Sequence, residues 1–134
     1  MGIFALEVLR TLSPHHEHAM LIGLSGDLGS GKTTFAQLFA KGLGIKEHIV
    51  SPTYVIAKFY DIFQHPAWNK FVHVDAYRIE HPEEMRMLKW DAIIHDPKNI
   101  VLVEWPERIA ELFPSDAPVL QFQFIDQTTR LIIR

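Results

Sequence analysis

Gly26-Asp-Leu-Gly-Ser-Gly-Lys-Thr33 decides the fold, because it lies between a continuous apolar run and an amphipathic one. It matches the pattern G-x-x-x-x-G-K-[ST], in which backbone N–H groups surround a phosphate. Residues 19–25 before it predict a strand covered on both faces, which we expect to be central in its sheet. Apolar side chains after it recur at helical spacing as far as Leu43, and Gly44 is suited to end that helix. The order strand, glycine-rich loop and helix predicts a phosphate-binding loop.

The rest of the chain supplies further strands and helices. Predicted helices lie at residues 4–12, from Pro82 to about Trp90, and at 107–113. Predicted strands lie at residues 54–61, 70–74, 100–103, 119–125 and 130–134. The strands at 54–61 and 70–74 are predicted to form an antiparallel hairpin. Those at 119–125 and 130–134 are predicted to form a closing hairpin at the sheet edge. We therefore predict an α/β fold, a P-loop NTPase-like three-layer sandwich with a mixed, central parallel sheet and an antiparallel hairpin, in a single P-loop ATPase domain of residues 1–134.

Composition narrows the possible functions. The chain has 134 residues, 48% of them apolar, which is ample for one buried core. Its formal charge of -3 gives no basic field for capturing nucleic acid, so any RNA is expected to be held by a partner. With 0 cysteines, disulfides and thiolate chemistry are excluded. No apolar run is long enough to span a bilayer and no signal-like segment opens the chain, so we expect a cytoplasmic protein with no membrane partner.

The glycine-rich loop predicts the nucleotide-binding residues. Lys32 is expected to reach the β- and γ-phosphates, and the Thr33 hydroxyl is expected to bind Mg²⁺. The predicted nucleotide-binding residues are Gly26, Asp27, Leu28, Gly29, Ser30, Gly31, Lys32, Thr33, Thr34 and Trp105. The predicted cofactors are thus ATP, or GTP on the loop alone, and Mg²⁺.

Two acids compete for a place beside the metal ion. Glu104 follows the apolar run Ile-Val-Leu-Val, and Asp75 follows Phe-Val-His-Val. A phosphate-binding loop needs an acid at the end of a neighbouring buried strand. Glu104 is favoured because its strand is the more apolar, either as a metal ligand through water or as the group that orients the attacking water. Asp75 is the other candidate for the metal shell. Each could instead be an ordinary strand-end carboxylate or a helix cap.

Two further residues have two interpretations each. Thr53 follows Ser51-Pro52, where many such proteins have a mobile loop whose hydroxyl senses the γ-phosphate and Mg²⁺; it could equally be the start of a strand. Trp105 could lie in the core beside a turn, or form an aromatic surface next to the nucleotide.

The motifs together resemble a known family. Residues 26–35, Ser-Pro-Thr-Tyr at 51–54, His-Val-Asp-Ala-Tyr-Arg at 73–78, Pro-Glu-Glu at 82–84 and Glu-Trp-Pro-Glu-Arg at 104–108 are the segments concerned. In this order they resemble the bacterial tRNA threonylcarbamoyladenosine biosynthesis ATPases of the TsaE (YjeE) family. The resemblance implies that Thr33 and Glu104 bind Mg²⁺, that Lys32 and its neighbours bind phosphates, that residues 51–53 form a switch-like loop, and that Asp75 is needed for hydrolysis.

The resemblance also implies a cellular role. Members of that family join the partner proteins TsaB and TsaD, which install threonylcarbamoyl on an adenosine of tRNA, and their ATP hydrolysis resets the complex without transferring the group. The chain departs from the family pattern at Lys89-Trp90, where a glycine usually follows the helix. It also begins almost inside the first helix, whereas family members usually open with a strand.

Two alternative functions remain open. A small P-loop kinase needs an acceptor pocket and commonly an arginine-rich lid over the phosphates. The arginines after the loop form no such cluster in the sequence: Arg78, Arg86, Arg108, Arg130 and Arg134. A module that binds nucleotide only to stabilise an interaction would not need both acids.

Overall fold

A computed structural model describes residues 2–49, 56–124 and 130–133 of the chain. Within these ranges, six strands form one sheet in the order β2-β3-β4-β1-β5-β6. The strands are β1 (Met20–Gly26), β2 (Ala57–Asp61), β3 (Lys70–Asp75), β4 (Asn99–Glu104), β5 (Val119–Phe124) and β6 (Arg130–Ile133). The helices are α1 (Gly2–Thr11), α2 (Lys32–Gly42) and α3 (Trp90–Ile94), with 3₁₀ helices at Pro82–Leu88 and Pro106–Leu112.

The sheet is mixed, as predicted. Strand β1 pairs in parallel with both β4 and β5, and β3 pairs in parallel with β4. The two outer strands are antiparallel to their neighbours, β2 to β3 and β6 to β5. The prediction of a central parallel sheet with an antiparallel hairpin is therefore confirmed, and the strand before the loop is central.

Helices cover both faces of the sheet. On one face α1 and α2 pack on a core that includes Ile22, Phe39 and Leu102. On the other face α3 and the 3₁₀ helices pack on a core that includes Val74 and Val103. The strands buried on both faces are the ones that read as continuous apolar runs, and the three-layer prediction is confirmed. None of the helices in the described part of the chain is long and apolar enough to cross a membrane.

One predicted helix is shorter and of another type. The helix expected from Pro82 to about Trp90 is a 3₁₀ helix that ends at Leu88. Lys89 then adopts a left-handed conformation with φ 57°, and α3 begins at Trp90. The break lets Trp90 enter the core, where its indole Nε1 donates to the Leu112 carbonyl at 3.1 Å. Burial of a large aromatic side chain outweighs the local preference to continue the helix.

The other helix predictions agree better. Glu84 accepts from the backbone N–H groups of Glu80 and His81, which confirms a helix start at Pro82. The helix predicted at residues 107–113 is a 3₁₀ helix, interrupted by non-helical dihedrals at Ile109. Residues 54 and 55 of the predicted hairpin strand lie outside the described residues.

Candidate nucleotide and metal site

The glycine-rich loop joins the carboxyl end of β1 to the first turn of α2. Its glycines have positive φ, at 141° for Gly26, 78° for Gly29 and 104° for Gly31. Such conformations turn successive backbone N–H groups toward one point, where the start of α2 adds its positive dipole end. A Cβ on Gly26 would collide with the backbone oxygen of Phe122. The loop therefore has the backbone that an anion site requires.

Ser30 supplies a second sign of an anion site. Its side chain is buried, and its Oγ has no hydrogen-bond partner among the residues that the structure describes. A buried hydroxyl without a partner is unusual, because it loses its bonds to water and gains none. A bound phosphate oxygen would accept a hydrogen bond from this hydroxyl. The unpartnered Ser30 hydroxyl therefore fits a nucleotide phosphate bound in the loop.

Lys32 lies folded against its own loop. Only 5% of the residue is exposed. Its ammonium group donates to the carbonyl oxygen of Gly26 and to that of Asp27 at 3.2 Å. Burial lowers the pKa of Lys32 below its ordinary value, and nearby carboxylates oppose that effect. These carboxylates belong to Glu104, Glu107, Asp75 and Asp27.

The Glu104 carboxylate lies beneath the loop and contacts two side chains. Its Oε1 accepts from the Thr33 hydroxyl at 3.5 Å, and its Oε2 lies 2.7 Å from His73 Nε2. Glu104 ends β4, where every residue is buried. A hydroxyl and a carboxylate oxygen are donors that suit Mg²⁺, which usually keeps several waters and takes one or two protein carboxylates. These oxygen atoms therefore fit the predicted metal, which Thr33 and Glu104 would hold.

Asp75 lies at the same edge of the sheet as Glu104. The two residues are paired in the parallel register of β3 and β4. Asp75 Oδ1 accepts from the backbone N–H of Tyr77 at 3.0 Å, which closes the turn after the strand. The carboxylate is half-buried. The structure thus brings together both predicted acids, and it gives Asp75 a turn-capping contact as well.

The Trp105 ring contacts both the loop lysine and a neighbouring tyrosine. The Lys32 ammonium is 4.0 Å from the centroid of its indole ring, and Tyr77 is 4.9 Å away on a tilted ring. Trp105 is half-buried and adopts a left-handed conformation with φ 62°. The Arg108 guanidinium lies 5.6 Å from the Tyr77 ring.

The remaining predicted residues lie at the loop, at the start of α2, or outside the described residues. Asp27, Leu28 and Thr34 are exposed at the loop and the first turn of α2. Thr53, with the whole of residues 51–53, lies outside the described residues.

Sequence reasoning missed two residues near the site. Glu107 Oε2 accepts from the Ser25 hydroxyl at 3.2 Å, next to the loop. His73 is fully buried against Glu104. A signal for His73 existed, because it stands alone as a polar residue in the apolar run of β3 and is two residues before Asp75, on the same face.

Comparison with known proteins gives one family. The chain matches the model of "Threonylcarbamoyl adenosine biosynthesis protein TsaE" over residues 5–132. It is 40% identical over 93 residues to the "tRNA threonylcarbamoyladenosine biosynthesis protein TsaE" of Borreliella burgdorferi, which covers 69% of this chain and 64% of that protein. It is 32% identical over 123 residues to the Haemophilus influenzae protein of the same name, covering 90% of this chain and 73% of that one.

A solved structure has the same fold. The crystal structure of Bacillus subtilus YdiB matches with a TM-score of 0.65 and 26% sequence identity, over 98% of this chain and 78% of that one. The chain spans less than two thirds of the Borreliella burgdorferi protein, at 64% of its length.

Proposed function

Because the chain belongs to the TsaE family of threonylcarbamoyl adenosine biosynthesis proteins, we propose that it is a Mg²⁺-dependent ATPase. In this proposal it acts as a partner-stimulated switch in the threonylcarbamoyladenosine modification of tRNA. The observation that carries the proposal is the contact of Thr33 with Glu104 directly beneath the loop of residues 26–33. It joins a phosphate-binding backbone to an oxygen-donor set of the kind that Mg²⁺ takes.

The loop residues bind and orient the nucleotide. Backbone N–H groups of the loop and the Ser30 hydroxyl hold phosphate oxygens. Lys32 leaves the carbonyl oxygens of Gly26 and Asp27 and donates to the β- and γ-phosphates. Trp105, whose ring contacts the Lys32 ammonium, would lie beside the bound nucleotide. Thr53 is proposed to sense the γ-phosphate.

Glu104 and Asp75 have different proposed roles in binding the metal ion and orienting water. Thr33 and Glu104 would hold Mg²⁺, and Asp75 would either complete that shell or orient the attacking water. When bound, Mg²⁺ neutralises negative charge on the β- and γ-phosphate oxygens. Lys32 and the loop N–H groups stabilise the charge that develops during transfer to water.

The proposed partners are those that the family resemblance implies. We propose that homologues of TsaD and TsaB bind this single domain in the cytoplasm and stimulate its hydrolysis. A net charge of -3 favours contact with tRNA through those partners. Hydrolysis to free phosphate distinguishes this proposal from a kinase, which would leave the phosphoryl group on an acceptor.

The test is ATP turnover, measured as phosphate release with and without Mg²⁺, and with and without purified TsaB and TsaD homologues. We expect slow Mg²⁺-dependent release alone and faster release with both partners. Lys32→Ala should abolish nucleotide binding or turnover, and Glu104→Ala should abolish Mg²⁺-dependent turnover. Lys41→Ala and Glu111→Ala, at exposed positions, are the matched controls. Unchanged hydrolysis in both site variants would contradict the proposed ATPase activity at this site. A lack of response to the partners would contradict the proposed switch role.

A further inference from the structure

A buried histidine contacts the acid of the candidate metal site. His73 lies in β3 and Glu104 in β4, and the register pairs His73 with Leu102, two residues before Glu104. Alternation along parallel strands places His73 and Glu104 on the same face of the sheet. The contact, His73 Nε2 to Glu104 Oε2 at 2.7 Å, joins two side chains that are exposed by 0% and 4% respectively.

The chemistry of this contact fixes the direction of the hydrogen bond. A carboxylate can only accept, so the ring nitrogen that faces it carries the hydrogen. The opposite nitrogen, Nδ1, is buried and has no partner among the described residues. The ring also stacks on Phe71, with centroids 6.2 Å apart. A polar ring with one unpartnered nitrogen costs folding free energy in an apolar core. A leucine would avoid that cost, but it could not donate a hydrogen bond to Glu104.

The bond leaves the two oxygens of Glu104 in different surroundings. Oε2 points to His73, and Oε1 points to the Thr33 hydroxyl at the loop. Rotation of the carboxylate would break the bond to His73. The side chain is therefore held with one oxygen toward the loop.

We propose that His73 is a positioning residue that holds the Glu104 carboxylate in the orientation needed to bind the divalent cation. This inference rests on the proposed function, because it gives His73 a role only if Glu104 serves a cation. His73 does not touch nucleotide or metal; it acts through Glu104. Removal of hydrogen-bonded partners behind metal-binding carboxylates typically weakens metal affinity about 10–100-fold.

The experiment compares divalent-cation binding in four proteins. Mn²⁺ is the probe, and its binding to the protein with ADP is measured by electron paramagnetic resonance. The proteins are the wild type, His73→Leu, which loses the donor, His73→Gln, whose amide keeps one, and Val72→Ala. Val72→Ala is the matched control, because Val72 is buried on the same strand but faces the core on the other side of the sheet. ADP affinity without metal and thermal unfolding are measured for each.

We expect His73→Leu to weaken Mn²⁺ binding about 10–100-fold and His73→Gln to restore most of it. Val72→Ala should lower stability and leave Mn²⁺ affinity unchanged, and ADP affinity without metal should stay the same throughout. Wild-type Mn²⁺ affinity in a folded His73→Leu protein overturns the inference. So does an equal loss in all three variants, since that reflects packing and not positioning.

A second readout does not depend on metal or nucleotide. The ¹⁵N shifts of the His73 ring in the nucleotide-free protein report which nitrogen carries the hydrogen, and we expect it on Nε2. A hydrogen on Nδ1 alone overturns the inference whatever the metal data show. If the wild type with ADP binds no Mn²⁺, the proposed function fails at its metal site; if the wild type binds Mn²⁺ and His73→Leu does too, only the role of His73 fails.

Discussion

The Lys32 ammonium lies 4.0 Å from the centroid of the Trp105 ring while it donates to the Gly26 and Asp27 carbonyl groups. The cation that is proposed to bind phosphate is thus held by its own loop and by an aromatic face. Cation–π contacts contribute about 0.5–2 kcal/mol, more when they are desolvated. A nucleotide must supply enough interaction energy to displace the lysine from these partners.

Replacing Lys32 by methionine should separate binding from stability. Burial lowers the pKa of Lys32 below its ordinary value of 10.5, so the charged form is disfavoured in the folded protein relative to the unfolded chain. We expect Lys32→Met to lose nucleotide binding and to unfold at a higher urea concentration than the wild type near neutral pH. Urea unfolding measures the second effect, with Lys41→Met as the exposed control.

The pH dependence gives a sharper form of the same prediction. A folded-state pKa below 10.5 means that the unfolded chain binds more protons as pH approaches 10.5, so wild-type stability rises there. The amount by which the unfolding free energy of Lys32→Met exceeds that of the wild type should therefore be largest below the folded-state pKa. It should shrink as pH rises to 10.5. An advantage that grows over this window would contradict the assignment.

Trp105 should report nucleotide binding by its fluorescence. If Lys32 moves from the indole ring to a phosphate, the charge next to Trp105 changes, and its emission should change with it. The chain has 3 tryptophans, and the other two, Trp68 and Trp90, are buried. Titration with ATP should alter emission in the wild type and not in Trp105→Phe. A full response that persists in Trp105→Phe would place its source at another tryptophan.

The two acids should have different effects on Mg²⁺ dependence. Glu104 contacts Thr33, whereas Asp75 lies one strand farther from the loop. We expect Glu104→Gln to raise the Mg²⁺ concentration for half-maximal turnover about 10–100-fold. Asp75→Asn should lower kcat about 100-fold with that concentration unchanged, as expected for a group that orients water. Steady-state kinetics over a range of Mg²⁺ concentrations measures both, and the reverse pattern would exchange the two roles.

Part of this site could be predicted from the sequence because it depends on local patterns. Asp75 and Glu104 each end an apolar run, and carboxyl ends of neighbouring parallel strands meet at one edge of a sheet. The bond between His73 and Glu104 depends on the register of β3 and β4, which no local pattern specifies. The break at Lys89 depends on the burial of Trp90, a tertiary effect that overrides local helix preference.

Lys89 should accept glycine with a gain in stability. Its φ of 57° lies in the left-handed region, which costs a residue with a Cβ about 1–2 kcal/mol. Glycine removes that cost but adds entropy to the unfolded chain, so we expect Lys89→Gly to stabilise by about 0.5–1 kcal/mol. This corresponds to a rise in Tm of about 2–4 °C. Lys98→Gly, at an exposed lysine without positive φ, should lower Tm, and equal changes in both variants would contradict the prediction.

The loop glycines should differ in their tolerance of a methyl group. Gly26 and Gly29 both have positive φ, at 141° and 78°. A Cβ on Gly26 meets the Phe122 backbone oxygen, whereas a Cβ on Gly29 has nothing within 4 Å among the described residues. Gly29→Ala should therefore cost only the conformational strain, about 1–2 kcal/mol. Gly26→Ala adds a collision that only a shift of β5 against β1 relieves, so it should cost more than about 3 kcal/mol. Urea unfolding of the two variants checks the difference, and similar losses would show that the loop backbone relaxes to accommodate the added carbon at Gly26.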